Sequence, residues 1–334
     1  MNHTLRGVVV VLLGLAAAHA CSRGPEQGTP QGGTKLTIAV IPKGTTHEFW
    51  KSVHAGAIKA AQELDVDLLW QGPLREDDRE EQIKVVDTIR ARRVSGIALA
   101  PLDDKALRLP VRDAVRSGIP VVIFDSGLAS EDYVSLVETD NYKGGRTAGE
   151  HLARLLEGAG KVIVLRLHEG AASTTAREQG FLDVMKENPG IEVVSSNQYA
   201  GASTEGAYKA SENLLTATRA ATGGVTGIFC PNESTTFGML RALQDARLAG
   251  KIRFVGFDTS DKMVQALRDG ELDALVLQNP FNMGYLAVKT LVGHIHGEKV
   301  ERHIDTGATL VTKENMDQPE IRERLQPKLV ELSK

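Results

Sequence analysis

The chain reads as an α/β protein made of two similar doubly wound parallel-sheet lobes, on three observations. Short apolar runs with strand character alternate with helical patterns from residue 35 almost without interruption. Most of those runs are continuously apolar, as in Val121-Val122-Ile123-Phe124, which marks strands covered on both faces by helices. The number of such units, and a mature part of roughly 300 residues, exceed what one core comfortably holds.

The elements follow in order. Leu36-Thr37-Ile38-Ala39-Val40-Ile41 is a strand, and 49–64 a helix with Val53, Ala57, Ile58 and Ala61 on one stripe. A strand over 67–70 and a charged helix over 75–92 come next, then the strand Gly96-Ile97-Ala98-Leu99-Ala100, stopped by Pro101. The next helix ends at Ser117-Gly118-Ile119-Pro120, which opens the strand 121–124; 133–137 is a further short strand. A second cycle starts at Asn141. Helices are expected over 142–156, 174–187, 204–218, 234–246, 261–268 and 283–296, and strands over 161–167, 191–194, 227–230, 251–257 and 272–277. A last amphipathic helix is expected over 320–332.

The first twenty residues read as an export signal. Arg6 supplies the positive region, 7–18 the apolar stretch, and Ala18-His19-Ala20 the small-x-small cleavage site. Cys21 follows directly, which resembles a bacterial lipobox with Ala18 where Leu is preferred. The same residues also read as an ordinary A-x-A site. A Pro-, Gly- and Gln-rich stretch to residue 34 suits a tether behind a lipid anchor on Cys21. With Cys21 lipidated, Cys230 is the only thiol left and no internal disulfide can form. A net charge of −4 without a basic block argues against nucleic acid and against binding to anionic lipid.

Function is read from strand ends. Asp125, Asp140, Asn141, Asn232, Asp258 and Gln278 each lie just past an apolar run, and open α/β sheets bind ligands outside the carboxyl ends of their strands. No metal spacing, nucleophile set or phosphate fingerprint accompanies them. His294 and His296 point different ways on a helix; Cys230 has no histidine in register; Gly144-Gly145 lacks the Walker and dinucleotide patterns. Polar tips without reactive chemistry point to a cleft that holds a polyhydroxylated ligand and needs no cofactor or metal.

Over most of its length the chain resembles the ribose-type sugar-binding proteins of bacterial ABC importers, of periplasmic binding protein type I. The matching motifs run in order: Ala39-Val40-Ile41 with Glu48-Phe49-Trp50, Pro120 to Asp125, Thr139-Asp140-Asn141, Gly144-Gly145, Ser173 to Phe181, Asn232-Glu233, Val255-Gly256-Phe257-Asp258 and Leu277-Gln278. The resemblance implies a three-crossing hinge near 139–141, 278–280 and 306–308, closing the lobes around a ligand. It divides the chain into an N-terminal lobe, 35–139 plus 279–307, and a C-terminal lobe, 140–278 plus 308–334. Carried over, Phe49 and Trp50 are stacking faces, and Asp125, Arg177, Asn232, Asp258 and Gln278 are hydrogen-bond partners. That set fits sugar chemistry, since C–H faces need an apolar plate and hydroxyls need groups that accept and donate.

There are departures from the family pattern. Asp125-Ser126 stands where the family has Asp-Arg, His47 where it often has Asn, and Lys43 where it has a small hydroxyl residue. Ile41-Pro42-Lys43 with Asp125-Ser126 also resembles the autoinducer-2 binding proteins. Lys43 thus hints at an acidic or oxidised sugar. Simpler roles exist for each residue: Asp258 as a helix cap, Asp125 as a turn residue, Arg177 and Lys43 as solvated charges, Trp50 as core. Asp140 and Asn141 look more like hinge and cap than ligand contacts.

The implied function is capture of a monosaccharide or related polyol and delivery to an ABC permease, with presentation to a chemoreceptor or sensor kinase as the alternative. Glu76-Asp77-Asp78 would then be exposed acidic residues able to meet permease arginines. A repressor of this fold needs a helix-turn-helix where the signal segment lies, and an enzyme needs an acid, base or nucleophile set that is missing.

Overall fold

A computed structural model describes residues 35–325. The expected signal segment, the tether, Cys21 and the end of the last helix lie outside the described residues.

The first half runs β1 (Thr37–Ile41), α1 (Glu48–Glu63), β2 (Asp67–Trp70), α2 (Arg79–Ala91), β3 (Gly96–Leu99), α3 (Arg108–Arg116), β4 (Val121–Phe124) and β5 (Ser135–Glu138). The second continues with α4 (Asn141–Leu155), β6 (Gly160–Arg166), α5 (Ala172–Glu187), β7 (Ile191–Tyr199) and α6 (Thr204–Ala217). After these come β8 (Gly227–Phe229), α7 (Glu233–Asp245), β9 (Arg253–Phe257), α8 (Asp261–Asp269) and β10 (Ala274–Leu277). The chain then returns through α9 (Pro280–Ile295) and β11 (His303–Asp305), crosses to β12 (Thr309–Thr312) and ends in α10 (Pro319–Leu325).

Two six-stranded sheets result, ordered β11-β5-β4-β3-β1-β2 and β12-β10-β9-β8-β6-β7. Every pairing is parallel except β10 with β12. Strand alternation splits each sheet's apolar residues into two cores. Ile38 and Val40 face one layer and Ala39 and Ile41 the other; in the second sheet Ile163 and Leu165 oppose Val162 and Val164. The chain passes between the sheets after β5, after β10 and after β11.

Each sheet carries one unusually tight helix pair. A Cβ at Gly56 of α1 would lie 1.9 Å from the Phe281 carbonyl oxygen of α9, and one at Gly145 of α4 would lie 1.9 Å from that of Arg177 in α5. Both contacts need a residue without a side chain, and both fix elements whose ends reach the cleft between the sheets.

Several boundaries differ from the sequence reading. α2 begins at Arg79, because Asp78 caps it by accepting from the Glu81 amide at 3.0 Å; residues 71–78 are therefore loop. α9 begins at Pro280 behind an Asn279 cap, since proline suits the first helical turn. β7 extends to Tyr199 because it keeps pairing with β6 beyond a register shift.

Candidate ligand-binding site

The same backbone device ends β4 and β9. Asp125 and Asp258 each follow a fully buried phenylalanine and adopt left-handed backbone, φ 63° and 64°. Each donates its amide at 2.9 Å to the neighbouring strand, Asp125 to Val137 and Asp258 to Val276. Asp tolerates this region better than most residues with a side chain. The turn leaves one carboxylate at the edge of each sheet.

Lys43, just past β1, holds its Nζ 2.6 Å from Asp125 Oδ2 and donates at 3.1 Å to Ser173 Oγ of the other half. Arg177, 2% exposed, donates from Nε to Asn141 Oδ1 at 2.8 Å and from Nη1 to the Pro231 carbonyl at 2.9 Å. Its guanidinium lies 4.0 Å from the Phe257 ring centroid and 3.9 Å from Asp258. Asp258 accepts from Gln278 Nε2 at 2.7 Å and from the Glu233 amide at 3.1 Å. It does not cap the helix that follows it, since Ser260 caps α8; its contact with the Glu233 amide meets the first N–H of α7 instead.

These groups converge on a cavity of 30 Å³ between the sheets, lined by all eight residues named from sequence together with His47, Glu76, Leu167, Ser173, Thr174 and Glu233. The halves touch around it. Ser173 donates its amide to Ser126 Oγ at 3.0 Å, Asp104 to the Gly170 carbonyl at 3.0 Å, and the Phe49 amide to Glu233 at 3.1 Å. The last contact seats a carboxylate of one half on the N-terminus of α1 in the other, where the helix dipole favours it.

Three sequence assignments change. Trp50 is 2% exposed and packs edge-on to Phe49 and Phe124. It reaches the cavity but is a core residue, not an open plate; its Nε1 donates to Glu76. Asn232 commits its Oδ1 to Thr235 in a capping box, which leaves its amide nitrogen donating to Ser234. Glu76 is not on an acidic outer face: it is 7% exposed and bonded to His47 Nδ1 at 2.9 Å. The short loop before the capped start of α2 turns it inward. No periodicity marks such a loop, so sequence offered no signal for it. Asp140 does cap α4, and Asn141 braces Arg177.

The electrostatics follow from burial and pairing. Burial opposes a charge on His47, but the adjacent Glu76 carboxylate overrides it and raises the imidazole to about 9. Burial likewise works to raise Glu76, and His47 brings it down to about 2. Burial raises Glu233 to about 7 against the pull of His47, and raises Asp258 against Arg177. Glu138, bonded to Asn141 where β5 leaves its sheet, is raised to about 7 by burial and by Asp125. Three lining atoms have no hydrogen-bond partner: Arg177 Nη2, a donor, Gln278 Oε1, an acceptor, and Asp125 Oδ2, which meets Lys43 only as an ion pair. Among the described residues no group of three His, Cys, Asp or Glu could hold a metal ion. Cys230 is buried, its thiol pushed well up by desolvation.

A family profile described as a periplasmic binding protein domain matches residues 38–299. The chain belongs to the periplasmic binding protein family. This periplasmic binding protein is 30% identical over 306 residues to the ribose import binding protein RbsB of Haemophilus influenzae, covering 91% of this chain and 97% of that one. It superposes with a TM-score of 0.83 and 35% identity on a carbohydrate transporter solute binding protein from Agrobacterium radiobacter in complex with D-arabinose, over 87% and 99% of the two chains. An ABC transporter solute binding protein from Agrobacterium vitis with bound D-fucose gives a TM-score of 0.82 and 35% identity, over 86% and 99%. The protein is thus a binding protein and not an enzyme. The family implies export to the periplasm, and no helix among the described residues is long and apolar enough to cross a membrane.

Proposed function

We propose that this protein is the substrate-binding component of an ABC importer and captures a neutral monosaccharide or related polyol by closure of its two lobes. The observation that carries this reading is the charge balance of the cavity. Its lining holds three cations, Lys43, His47 and Arg177, and four carboxylates, Glu76, Asp125, Glu233 and Asp258. Lys43 is spent on Asp125 and His47 on Glu76. Arg177 faces Asp258 at 3.9 Å, so each cation already stands against a carboxylate and the acidic-sugar hint in Lys43 loses its support. A hydroxyl, which donates and accepts at once, suits the unpartnered Arg177 Nη2 and Gln278 Oε1. The relatives named for ribose or solved with D-arabinose and D-fucose take neutral sugars.

A cavity of 30 Å³ has room for about two waters. A sugar ring therefore enters with the lobes parted, and closure places its hydroxyls among the paired charges, where each charge-assisted bond is worth about 1.5–3 kcal/mol. The moving bodies in this reading are 35–139 with 279–307 and 140–278 with 308–334, and the liganded form is delivered to the permease. Cys21 would anchor it: replacing Cys21 by Ser should then move the protein from the membrane fraction to the soluble one.

Isothermal titration of the purified protein against neutral pentoses, hexoses, polyols and sugar acids tests the ligand class. Micromolar or tighter binding of a neutral sugar, lost in Asp258→Ala, supports it. Binding confined to sugar acids would overturn it.

A further inference from the structure

Beside the inner cavity lies a second, much larger space between the lobes, of 710 Å³. Five residues, His47, Phe49, Glu233, Asp258 and Gln278, line both. The two spaces are thus neighbours across a shared wall, which holds the bond from the Phe49 amide to Glu233. The size contrast is informative. The inner part is far smaller than a usual ligand site, whereas the outer part falls within the range of about 300–1,000 Å³ that such sites occupy.

The chemistry of the outer wall matches a sugar as well as that of the inner one. Phe49, Phe237 and Leu277 supply apolar surface, and Thr204, at the start of α6, also lines it. Three polar atoms bordering it are buried without a partner: Ser52 Oγ, Thr259 Oγ1 and Gln278 Oε1. Ser52 and Gln278 are only 4% and 5% exposed, so leaving such atoms unpaired is costly unless a ligand meets them. Of the cations in the lining, Arg75 pairs with Asp77 at 2.5 Å, Arg324 donates to Thr309 Oγ1 at 2.7 Å, and Lys262 sits over the Phe237 ring, while Glu48, Glu233, Asp258 and Asp261 add four carboxylates to the same wall.

We infer that the outer cleft is a second subsite, and that the monosaccharide unit of the reading above, held in the inner cavity, is joined past Glu233 and Phe49 to a second neutral unit. A disaccharide, or a glycoside with an aromatic aglycone, has this form. The inference rests on the sugar reading above and names the ligand class for the same cleft.

The test is calorimetric titration of the purified protein with D-arabinose, D-ribose, D-glucose and D-galactose, each as the free sugar and as phenyl glycosides of both anomers, plus disaccharides of the two hexoses. At least one extended compound is expected to bind about tenfold or more tightly than its parent sugar. Phe237→Ala, and Thr204→Arg as a second variant that fills the cleft from a surface position, should remove that gain and leave the Kd of the free sugar unchanged. If free sugars bind and every extended form binds more weakly, or if the gain survives both variants, the second subsite is refuted while the sugar reading stands. If nothing in the panel binds, the sugar reading fails and this inference falls with it.

Discussion

Replacing Arg177 by Ala should cost the protein its fold stability as well as its ligand. From sequence alone the side chain looks like a removable cleft contact, but 98% of it is covered, and its loss strands three groups. Asn141 Oδ1 and the Pro231 carbonyl lose their charged donor, and Asp258 loses its nearest cation. Removing one partner of a buried pair costs about 3–5 kcal/mol. At about 2–4 °C per kcal/mol for a chain of this size class, the midpoint should fall by roughly 6–20 °C. A thermal melt followed by tryptophan fluorescence reads this directly, since Trp50 lies at the site.

The loss should also depend on pH. Asp258 is already raised by burial despite Arg177, and without Arg177 it rises further. A raised carboxyl contributes stability below its unfolded pKa and loses it as pH rises, so the deficit should be larger at pH 8 than at pH 5. A midpoint within about 2 °C of wild type, or a deficit that shrinks as pH rises, would refute the claim that Arg177 is a structural counter-charge.

Three further outcomes are expected. His47, Glu233 and Glu138 are raised to about 9, 7 and 7, so each loses its contribution as pH rises, while Glu76, lowered to about 2, is lost only in strong acid. The ligand-free melting point should therefore decline from pH 5 to 9, with His47→Asn removing the decline between about pH 6.5 and 9; a flat or rising profile contradicts this. Gly145→Ala should force α4 and α5 apart against the Arg177 carbonyl, weakening ligand binding and lowering stability by about 1–3 kcal/mol in chemical denaturation; unchanged binding would show that the tight contact does not position Arg177. Glu233→Gln should weaken the hold on the α1 N-terminus and enlarge the radius of gyration of the ligand-free protein in small-angle scattering, a change absent if that contact does not help keep the lobes together.

Much of this molecule was legible in the sequence because it depends on local order. The β/α rhythm follows from which faces neighbouring residues present, and strand-end residues such as Asp125, Asp258 and Gln278 stand where open sheets expose their carboxyl edge. Motif matches then brought Arg177 into the same list. Tertiary structure alone decided what those residues do to one another. Lys43 suggested an acidic ligand until folding put Asp125 beside it; Glu76 looked like surface charge until its loop turned it toward His47. Glu233 acts through a helix end in the other half of the chain, and Trp50 became core once Phe124 lay against it. The physical reason is common to all four. Periodicity records only neighbours a few positions apart, whereas charge balance and burial are set by partners that only folding brings together.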